Sequence, residues 1–88
     1  MNISKKRIGK GRVKMSEVER LKKKIDKVLP RDVRFHYRDI SQINVLEVIF
    51  EGVTANQVGE YFKQLRKNGV PCTAIHRYDE SEIIVIAY

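Results

Sequence analysis

The sequence predicts an α+β fold with the element order αββαββ, a two-layer α/β sandwich in which two helices cover one face of a four-stranded, mostly antiparallel sheet. Three observations predict it. Two capping signals each open an amphipathic segment, two segments with strand patterning follow each of them, and the pattern recurs at an offset of 40 residues. We therefore expect a single domain over residues 15–88, built from a duplicated αββ unit and preceded by a basic arm over residues 1–14.

Length and composition set the class of protein. A chain of 88 residues, 42% hydrophobic and 33% charged, is long enough for one small globular domain with a single core. Its single cysteine, Cys72, excludes an internal disulfide. The longest apolar run, residues 83–87, is too short to cross a bilayer or to form the core of a signal peptide. We expect a cytoplasmic protein with no membrane partner.

Residues 1–14 carry six of the seven net positive charges of the chain and no acidic residue. Gly9 and Gly11 interrupt any helix there, and the few apolar residues cannot offset the entropy of ordering the segment alone. The segment predicts a mobile arm that contacts phosphates through Lys5, Lys6, Arg7, Lys10, Arg12 and Lys14. A solubilising tail and a short edge strand over residues 7–15 are the alternatives.

The first helix is predicted over residues 17–29. Ser16 and Glu19 have the spacing of a capping box, in which each side chain accepts a hydrogen bond from the other residue's backbone N–H. Lysines fall mostly on the outer faces, and Pro30 ends the helix because it lacks an N–H donor. The apolar stripe at helical spacing consists of Val18, Leu21, Ile25 and Val28.

Two strands follow the first helix. Residues 32–39 alternate apolar with charged or polar side chains, which is the period of a half-buried strand. Residues 40–44 are predicted as the turn. Residues 45–50 are rich in β-branched side chains and form the second strand, which ends at Glu51 and Gly52.

The second half repeats this order. Thr54 and Gln57 form another capping box, and the helix is predicted over residues 55–68, with Gly69 as the left-handed residue after its last turn. Two strands follow, joined by a turn at residues 79–81, and they are predicted over residues 71–78 and 82–88.

An offset of 40 residues aligns the two halves with six identities in the 25 positions of residues 17–41. The identical pairs are Val18/Val58, Lys23/Lys63, Lys27/Lys67, His36/His76, Asp39/Asp79 and Ser41/Ser81. The last strands align after a two-residue shift, which pairs Leu46 with Ile84, Val48 with Ile86 and Phe50 with Tyr88. We interpret the pattern as an internal repeat, although two units of one architecture also resemble each other for physical reasons.

Alternation in the strands predicts which face of the sheet the helices cover. Glu47 points away from its apolar neighbours, so the covered face should carry Val33, Phe35, Tyr37, Leu46, Val48, Phe50, Ile75, Ile84, Ile86 and Tyr88. The open face then has an apolar centre and a border of Arg, His and Tyr: Arg34, His36, Arg38, Val45, Glu47, Ile49, Ala74, His76, Tyr78, Ile83, Val85 and Ala87. Exposed apolar patches of this kind usually mark contact surfaces.

Two functions compete for the open face. As a nucleic-acid surface it would stack bases on Tyr78 and hold phosphates with Arg34 and Arg38, helped by the lysines of the first helix, including Lys22 and Lys23. As a protein surface it would bury Val45, Ile49, Tyr78, Ile83 and Val85 against an identical face or another protein. One aromatic residue is few for a base-stacking platform, which favours association for the face and leaves the arm as the nucleic-acid candidate.

The expected function is that of a small basic regulatory protein that binds DNA or RNA as a homodimer. The alternative is an adaptor or inhibitor that docks on another protein through the open face, with the arm serving only solubility. The lysines of the first helix could equally be its ordinary solvated face.

The sequence supports no enzyme class. His36 with Asp39 and His76 with Asp79 repeat, but residues three apart on a strand point to opposite faces. We therefore expect neither a metal site nor a general base there. Cys72 has no second cysteine near it in sequence, and the glycines of the arm lack the spacing of a phosphate-binding loop. We expect no catalytic residue, no metal, no cofactor and no small-molecule substrate.

Overall fold

The computed structural model describes residues 16–88, which form two helices and a four-stranded antiparallel sheet, an α+β fold as predicted. The predicted basic arm and the alternative strand over residues 7–15 lie outside the described residues. The elements follow in the order α1 (Glu17–Val28), β1 (Phe35–Ile40), β2 (Val45–Phe50), α2 (Ala55–Lys67), β3 (Cys72–Tyr78) and β4 (Ser81–Ala87), with a short 3₁₀ helix at Ser41–Ile43 between β1 and β2.

Both helices begin at the predicted capping residues. Ser16 Oγ accepts a hydrogen bond from the Glu19 backbone N–H at 3.1 Å. Thr54 Oγ1 accepts one from the Gln57 backbone N–H at 3.1 Å, and Gln57 Oε1 accepts from the Thr54 N–H at 2.9 Å, which completes a capping box. Each cap satisfies an N–H group that the first helical turn cannot pair by itself.

The two helices end by different means. α1 ends at Val28, one residue before the predicted end, because Leu29 is already extended and Pro30 follows it. α2 ends at Lys67, and Gly69 takes φ +86°, the left-handed conformation that the sequence predicts.

The strand order in the sheet is β1-β2-β4-β3, and every neighbouring pair is antiparallel. The second strand of each helix–strand–strand half is therefore central, and the first strand of each half lies at an edge. One row of paired residues on the core side runs across the sheet from β1 to β3 through Tyr37, Val48, Ile84 and Ile75.

The core combines apolar side chains from both helices and from alternate positions of the strands. Phe50 is fully buried, its ring lies 5.9 Å from that of Phe35, and it stacks on Tyr61 of α2 with a centroid separation of 5.6 Å. Removing these side chains from water is the main favourable term in folding. The buried members of the cluster are Val18, Leu21, Ile25, Leu29, Leu46, Val48, Phe50, Val58, Leu65, Val70, Cys72, Ile84 and Ile86.

A side-chain hydrogen bond joins α1 and β1. The Tyr37 hydroxyl donates to Asp26 Oδ1 at 2.8 Å, and its oxygen lies 3.3 Å from the Lys22 carbonyl oxygen. The Lys22 ammonium lies 5.2 Å from the Tyr37 ring centroid. Burial, and then the Asp26 hydrogen bond and charge, raise the pKa of Tyr37 above its usual 10.0, so the phenol keeps its proton and continues to donate.

The first hairpin differs from the prediction at both ends of β1. The strand begins at Phe35 instead of residue 32, because the chain turns after Pro30 and the Val33 N–H donates to the Pro30 carbonyl at 3.3 Å. The strand also continues through Ile40, which was expected in the turn. The connection is therefore the 3₁₀ helix and Asn44, which takes φ 55°.

The second hairpin is tighter than predicted. Tyr78 pairs with Ser81, so that Asp79 and Glu80 alone form the turn, with Asp79 at φ 59°. Aspartate adopts this left-handed conformation more readily than most residues. β4 accordingly runs over Ser81–Ala87 and leaves Tyr88 beyond it.

The prediction that Ile75 lies in the core is wrong. Ile75 pairs with fully buried Ile84, but it is 37% exposed. It lies on an edge strand, and no strand within residues 16–88 covers its outer flank. Every residue of β3 after Cys72 is exposed.

Some residues that align at the 40-residue offset do not occupy equivalent places. Asp39 lies inside β1 opposite Leu46, whereas Asp79 lies in a turn. Ser41 begins the 3₁₀ helix, whereas Ser81 begins β4. The order of elements repeats in the two halves, but the hairpin registers do not follow the aligned identities.

Candidate functional site

Five exposed basic side chains of the two helices have no ion-pair partner within residues 16–88, and we call them the basic helix surface. They come from the middle and end of α1 and from the last turn of α2. They are Lys23, Lys24, Lys27, Arg66 and Lys67.

Other cations of the helices already have partners. The Arg20 guanidinium contacts Glu17, and Lys63 Nζ lies 3.7 Å from Glu60 Oε2. Lys22 is half-buried over the Tyr37 ring. The basic helix surface therefore contains the exposed helix cations that no carboxylate of the described residues pairs; one of them, the Arg66 guanidinium, lies 5.9 Å from the Phe62 ring centroid.

Lys24 of α1 lies close to the C-terminal end of α2, where the α2 cations of the basic helix surface are found. A methyl group placed on Gly69 would lie 3.2 Å from Lys24 Nζ, so this ammonium group of α1 stands beside the chain that leaves α2. The carbonyl groups at the end of a helix carry partial negative charge, which attracts a cation to this place. Arg66 and Lys67 occupy the same last turn of α2.

The structure separates the predicted phosphate-binding residues into two groups. Lys23 belongs to the basic helix surface, whereas Lys22 packs on Tyr37. Of the predicted arginines of the sheet border, Arg38 lies beside a carboxylate, whereas Arg34 has no ion-pair partner within residues 16–88. Arg38 Nη1 is 3.9 Å from Glu47 Oε1. Arg34 lines a cavity of about 340 Å³ with Asp32, Glu51 and Gly52.

Four members of the basic helix surface were not predicted as site residues: Lys24, Lys27, Arg66 and Lys67. The sequence signal for Lys24 and Lys27 is their spacing of three, which places them on one side of a helix. The approach of Lys24 to Gly69 is a tertiary contact that no local pattern indicates. The predicted arm residues Lys5, Lys6, Arg7, Lys10, Arg12 and Lys14 lie outside the described residues.

A different surface lies on the strand positions that alternate with the core residues, and we call it the second face. The strand registers place its side chains in rows across the sheet. One row consists of His36, Ile49, Ile83 and His76, and the next of Arg38, Glu47, Val85 and Ala74. The register thus matches the predicted membership of the open face.

Exposure varies strongly across the second face. Tyr78 is 73% exposed, whereas Ile83 is only 6% exposed although it was predicted in the contact patch. Ile83 lies on a central strand between Ile49 and His76, whose side chains flank it. Val45, Ile49 and Val85 are half-buried, and Ala74 and Ala87 are exposed. The apolar area available to a partner therefore comes from several partly covered side chains.

Glu47 is the acidic group at the centre of the second face. Its side chain is 13% exposed, and its Oε1 has no hydrogen-bond partner among the described residues. Within residues 16–88 the nearest cation is that of Arg38 at 3.9 Å, which is an ion-pair distance but too long for a hydrogen bond. A partner that binds this face must accommodate a carboxylate in an aliphatic surrounding.

Residues with potential chemistry do not converge in the described part of the chain. No group of three or more His, Cys, Asp or Glu side chains within residues 16–88 could hold a metal ion. Cys72 is buried, and burial raises the pKa of its thiol to about 11, partly opposed by the charge of Arg66. A thiol with such a pKa is a weak nucleophile near neutral pH. None of the described helices is long and apolar enough to span a membrane.

The chain matches no protein-family model, no curated protein and no solved structure. Its function must therefore be argued from its own residues.

Proposed function

We propose that the chain is a small cytoplasmic binding protein that holds nucleic acid by its backbone phosphates, through the basic helix surface and the predicted arm. The observation that supports this proposal is the set of five exposed helix cations without an ion-pair partner in residues 16–88. A cation that contacts phosphate releases a condensed counterion from the polymer, which is the main source of backbone affinity. A cation already paired with a carboxylate must first give up that partner.

Net charge supports the same partner class. The chain carries +7, and a nucleic-acid duplex presents about one phosphate charge per 1.7 Å of axis. Contacts to phosphates position a protein without reading bases, so we expect weak sequence preference. At the sheet border Arg38 contributes less because it lies near Glu47, whereas Arg34 has no ion-pair partner within residues 16–88 and remains available to phosphate. The proposed phosphate contacts are compatible with both DNA and RNA. The binding experiment compares the affinity for each polymer.

We also propose that both helices cover one face of the sheet, in a two-layer sandwich that leaves the second face free. Tyr37 contacts α1 through Asp26, and Phe50 contacts α2 through Tyr61. Tyr37 pairs with Val48, two residues from Phe50 on β2, so these contacts leave the sheet on the same side. Descent of the two halves from a duplicated αββ unit stays a prediction.

Fluorescence anisotropy tests the nucleic-acid proposal with labelled duplex DNA, single-stranded DNA and RNA of equal length. The full chain is titrated at about 50 and 200 mM salt, together with the double variant Lys24→Gln/Lys27→Gln. We expect salt-sensitive binding by the full chain. The double variant should bind about tenfold more weakly, with a salt slope smaller by roughly 2, because each lost phosphate contact removes about 0.9 from the slope.

The matched control is Arg20→Gln/Lys63→Gln, which removes the same two charges from cations that already have carboxylate partners. It should weaken binding much less than the first double variant. Equal weakening by both would show that only net charge matters and would contradict the basic helix surface. A chain lacking residues 1–14 should bind more weakly than the full chain if the arm contributes. Absence of binding to all three polymers at low salt would disprove the proposed function.

The second face supports one alternative function, docking on another protein as an adaptor or inhibitor. Its aliphatic centre would be buried in such a complex, and burial of apolar surface depends little on salt. An interaction partner whose affinity is unchanged between the two salt concentrations, and is lost on Ile49→Glu, would favour this alternative.

A further inference from the structure

One row of the second face has the same residue order from both edges of the sheet. This middle row is His36, Ile49, Ile83 and His76, a histidine at each edge and two isoleucines between them. The order β1-β2-β4-β3 produces this symmetry, because the central strands are antiparallel partners and each edge strand belongs to one hairpin.

We propose that the second face binds the second face of another copy of this chain, about a two-fold axis that runs parallel to the strands between β2 and β4. This axis places β3 of the second copy over β1, and β4 of the second copy over β2. The inference uses the two-layer arrangement proposed above but does not depend on nucleic-acid binding. Two sheets packed in this way keep their strands within about 30° of each other.

In two places the proposed axis puts a larger side chain over a smaller one. Arg38 faces Ala74 of the second copy, because these residues end the same row on opposite edges. Val45 likewise faces Ala87 of the second copy, since the two are paired on the central strands. Alternation of large and small residues across an interface lets two layers interdigitate without voids.

The same axis keeps like charges apart. Glu47 and Val85 are paired on the central strands, so each Glu47 meets Val85 of the second copy and not the other Glu47. An axis perpendicular to the strands through this row would instead bring Glu47 over Glu47 and Arg38 over Arg38. Like charges facing each other across a buried interface are unfavourable, which selects the axis parallel to the strands.

The end of the face adds an aromatic contact at the rim. Arg34 and Glu51 continue the β1–β2 ladder, with the Glu51 N–H donating to the Arg34 carbonyl at 3.2 Å. Tyr78 and Ser81 end the β3–β4 ladder in the same row. The axis therefore brings Arg34 near the highly exposed Tyr78 ring of the second copy, where a guanidinium can stack on the aromatic face.

The size of the face suits a small interface. Four strands about 4.8 Å apart and six residues long, at about 3.3 Å per residue, give a footprint of roughly 20 by 20 Å. With its protruding rim side chains, such a footprint supplies an accessible area near the low end of specific protein interfaces, about 600–800 Å² per partner. We therefore expect dissociation in the micromolar range, and not an obligate dimer.

Sedimentation velocity of the full chain, without nucleic acid, tests the proposal over about 1–100 μM. The mass should rise from 10.3 kDa toward twice that value with concentration. Ala74→Arg should weaken the dimer at least tenfold, because the new cation faces Arg38 of the second copy. Ala74→Glu should leave the dimer intact or strengthen it, because the new carboxylate faces the same arginine.

The control is Ile75→Arg, which adds the same charge at the next position of β3 on the opposite side of the strand. It should leave the dimer unchanged. Ala74 is exposed, so we expect both of its variants to fold, which circular dichroism checks; Ala87→Arg, also at an exposed position, is the second probe of the face.

Three results would overturn the proposal. One is a monomer at every concentration. Another is a dimer that tolerates Ala74→Arg and Ala87→Arg, which would place the interface elsewhere. The third is equal loss with Ala74→Arg and Ile75→Arg, which would indicate pairing along the edge of β3. Because nucleic acid is absent from this measurement, its failure is distinct from failure of the proposed function.

Discussion

The two edge strands, β1 and β3, have corresponding places in the sheet but very different surroundings. Phe35 and Tyr37 of β1 pack against the core, and the Tyr37 hydroxyl bonds to Asp26 of α1. β3 has one buried side chain, Cys72, and is exposed from the next residue to its end. The same position in a repeated pattern is therefore no guide to burial.

The largest expected effect on the free energy of unfolding comes from the contrast between edge strand β3 and central strand β4. Ile84 and Ile75 are the same residue type, pair with each other, and differ in burial. Ile84→Ala should lower the free energy of unfolding by about 3 kcal/mol, because it leaves a cavity in the core. Ile75→Ala should lower it by about 1 kcal/mol or less. Urea denaturation monitored by circular dichroism measures both, and equal losses would contradict the difference in burial.

The polar attachment of β1 gives the next largest effect. Tyr37→Phe removes the hydroxyl that donates to Asp26 and should lower the free energy of unfolding by about 1–2 kcal/mol, since the acceptor is charged. Tyr78→Phe is the matched control on β3, where the ring is 73% exposed, and it should change stability by less than about 0.5 kcal/mol. An unchanged free energy of unfolding in Tyr37→Phe would show that the Tyr37–Asp26 hydrogen bond does not stabilise the contact between α1 and β1.

The free energy of unfolding should fall at alkaline pH because Cys72, the buried residue of β3, must keep its proton in the folded chain. Burial raises the pKa of Cys72 from 9.0 to about 11 in the folded chain. A raised pKa contributes stability that is complete below pH 9 and is lost as the pH rises through 11. We expect this thiol to account for about 1 kcal/mol of lost stability between pH 9 and 10.

The check is the pH dependence of urea unfolding for the natural chain and for Cys72→Ala. The variant should lose less stability over this interval, and the remaining loss should come partly from Tyr37, whose pKa is also raised. Parallel pH profiles for the two proteins would contradict a buried, protonated Cys72 thiol.

The smallest effect concerns a difference between the helices. α2 contains Gly59, where the 40-residue offset places Glu19 in α1, and no atom of residues 16–88 outside this helix lies within 4 Å of a methyl group added there. Gly59→Ala should raise the free energy of unfolding by about 0.5–1 kcal/mol, because alanine loses less entropy in a helix. Gly52→Ala should lower it, since Gly52 has φ +72°. Thermal unfolding measures both variants: the midpoint temperature should rise in Gly59→Ala and fall in Gly52→Ala.

Much of the secondary structure was predictable because its signals are local. Both helix starts follow from capping residues, and the bounds of β2 agree with the prediction. The bounds of β1 were less predictable, because the turn after Pro30 depends on a backbone hydrogen bond from Val33. The exposure of Ile75 depends on its tertiary surroundings, which alternation within a strand does not specify.

The candidate surfaces divide in the same way. Membership of the second face followed from alternation, because successive side chains of a strand point to opposite sides. Membership of the basic helix surface could not be predicted from the sequence, because it depends on which cations lie next to a carboxylate in the folded chain. Arg38 was predicted for phosphate, yet it lies near Glu47 from the adjacent strand.

The sequence by itself determined the α+β class, the order of the elements, and the alternation that defines two faces of the sheet, since capping, helical spacing and strand alternation act over a few residues. The tertiary structure decided the strand order, the cover over β1 and the exposure of β3. It also decided which cations are paired and that Lys24 stands beside Gly69. These features join residues far apart in the chain, and they follow from the packing of whole elements against one another and not from any local pattern.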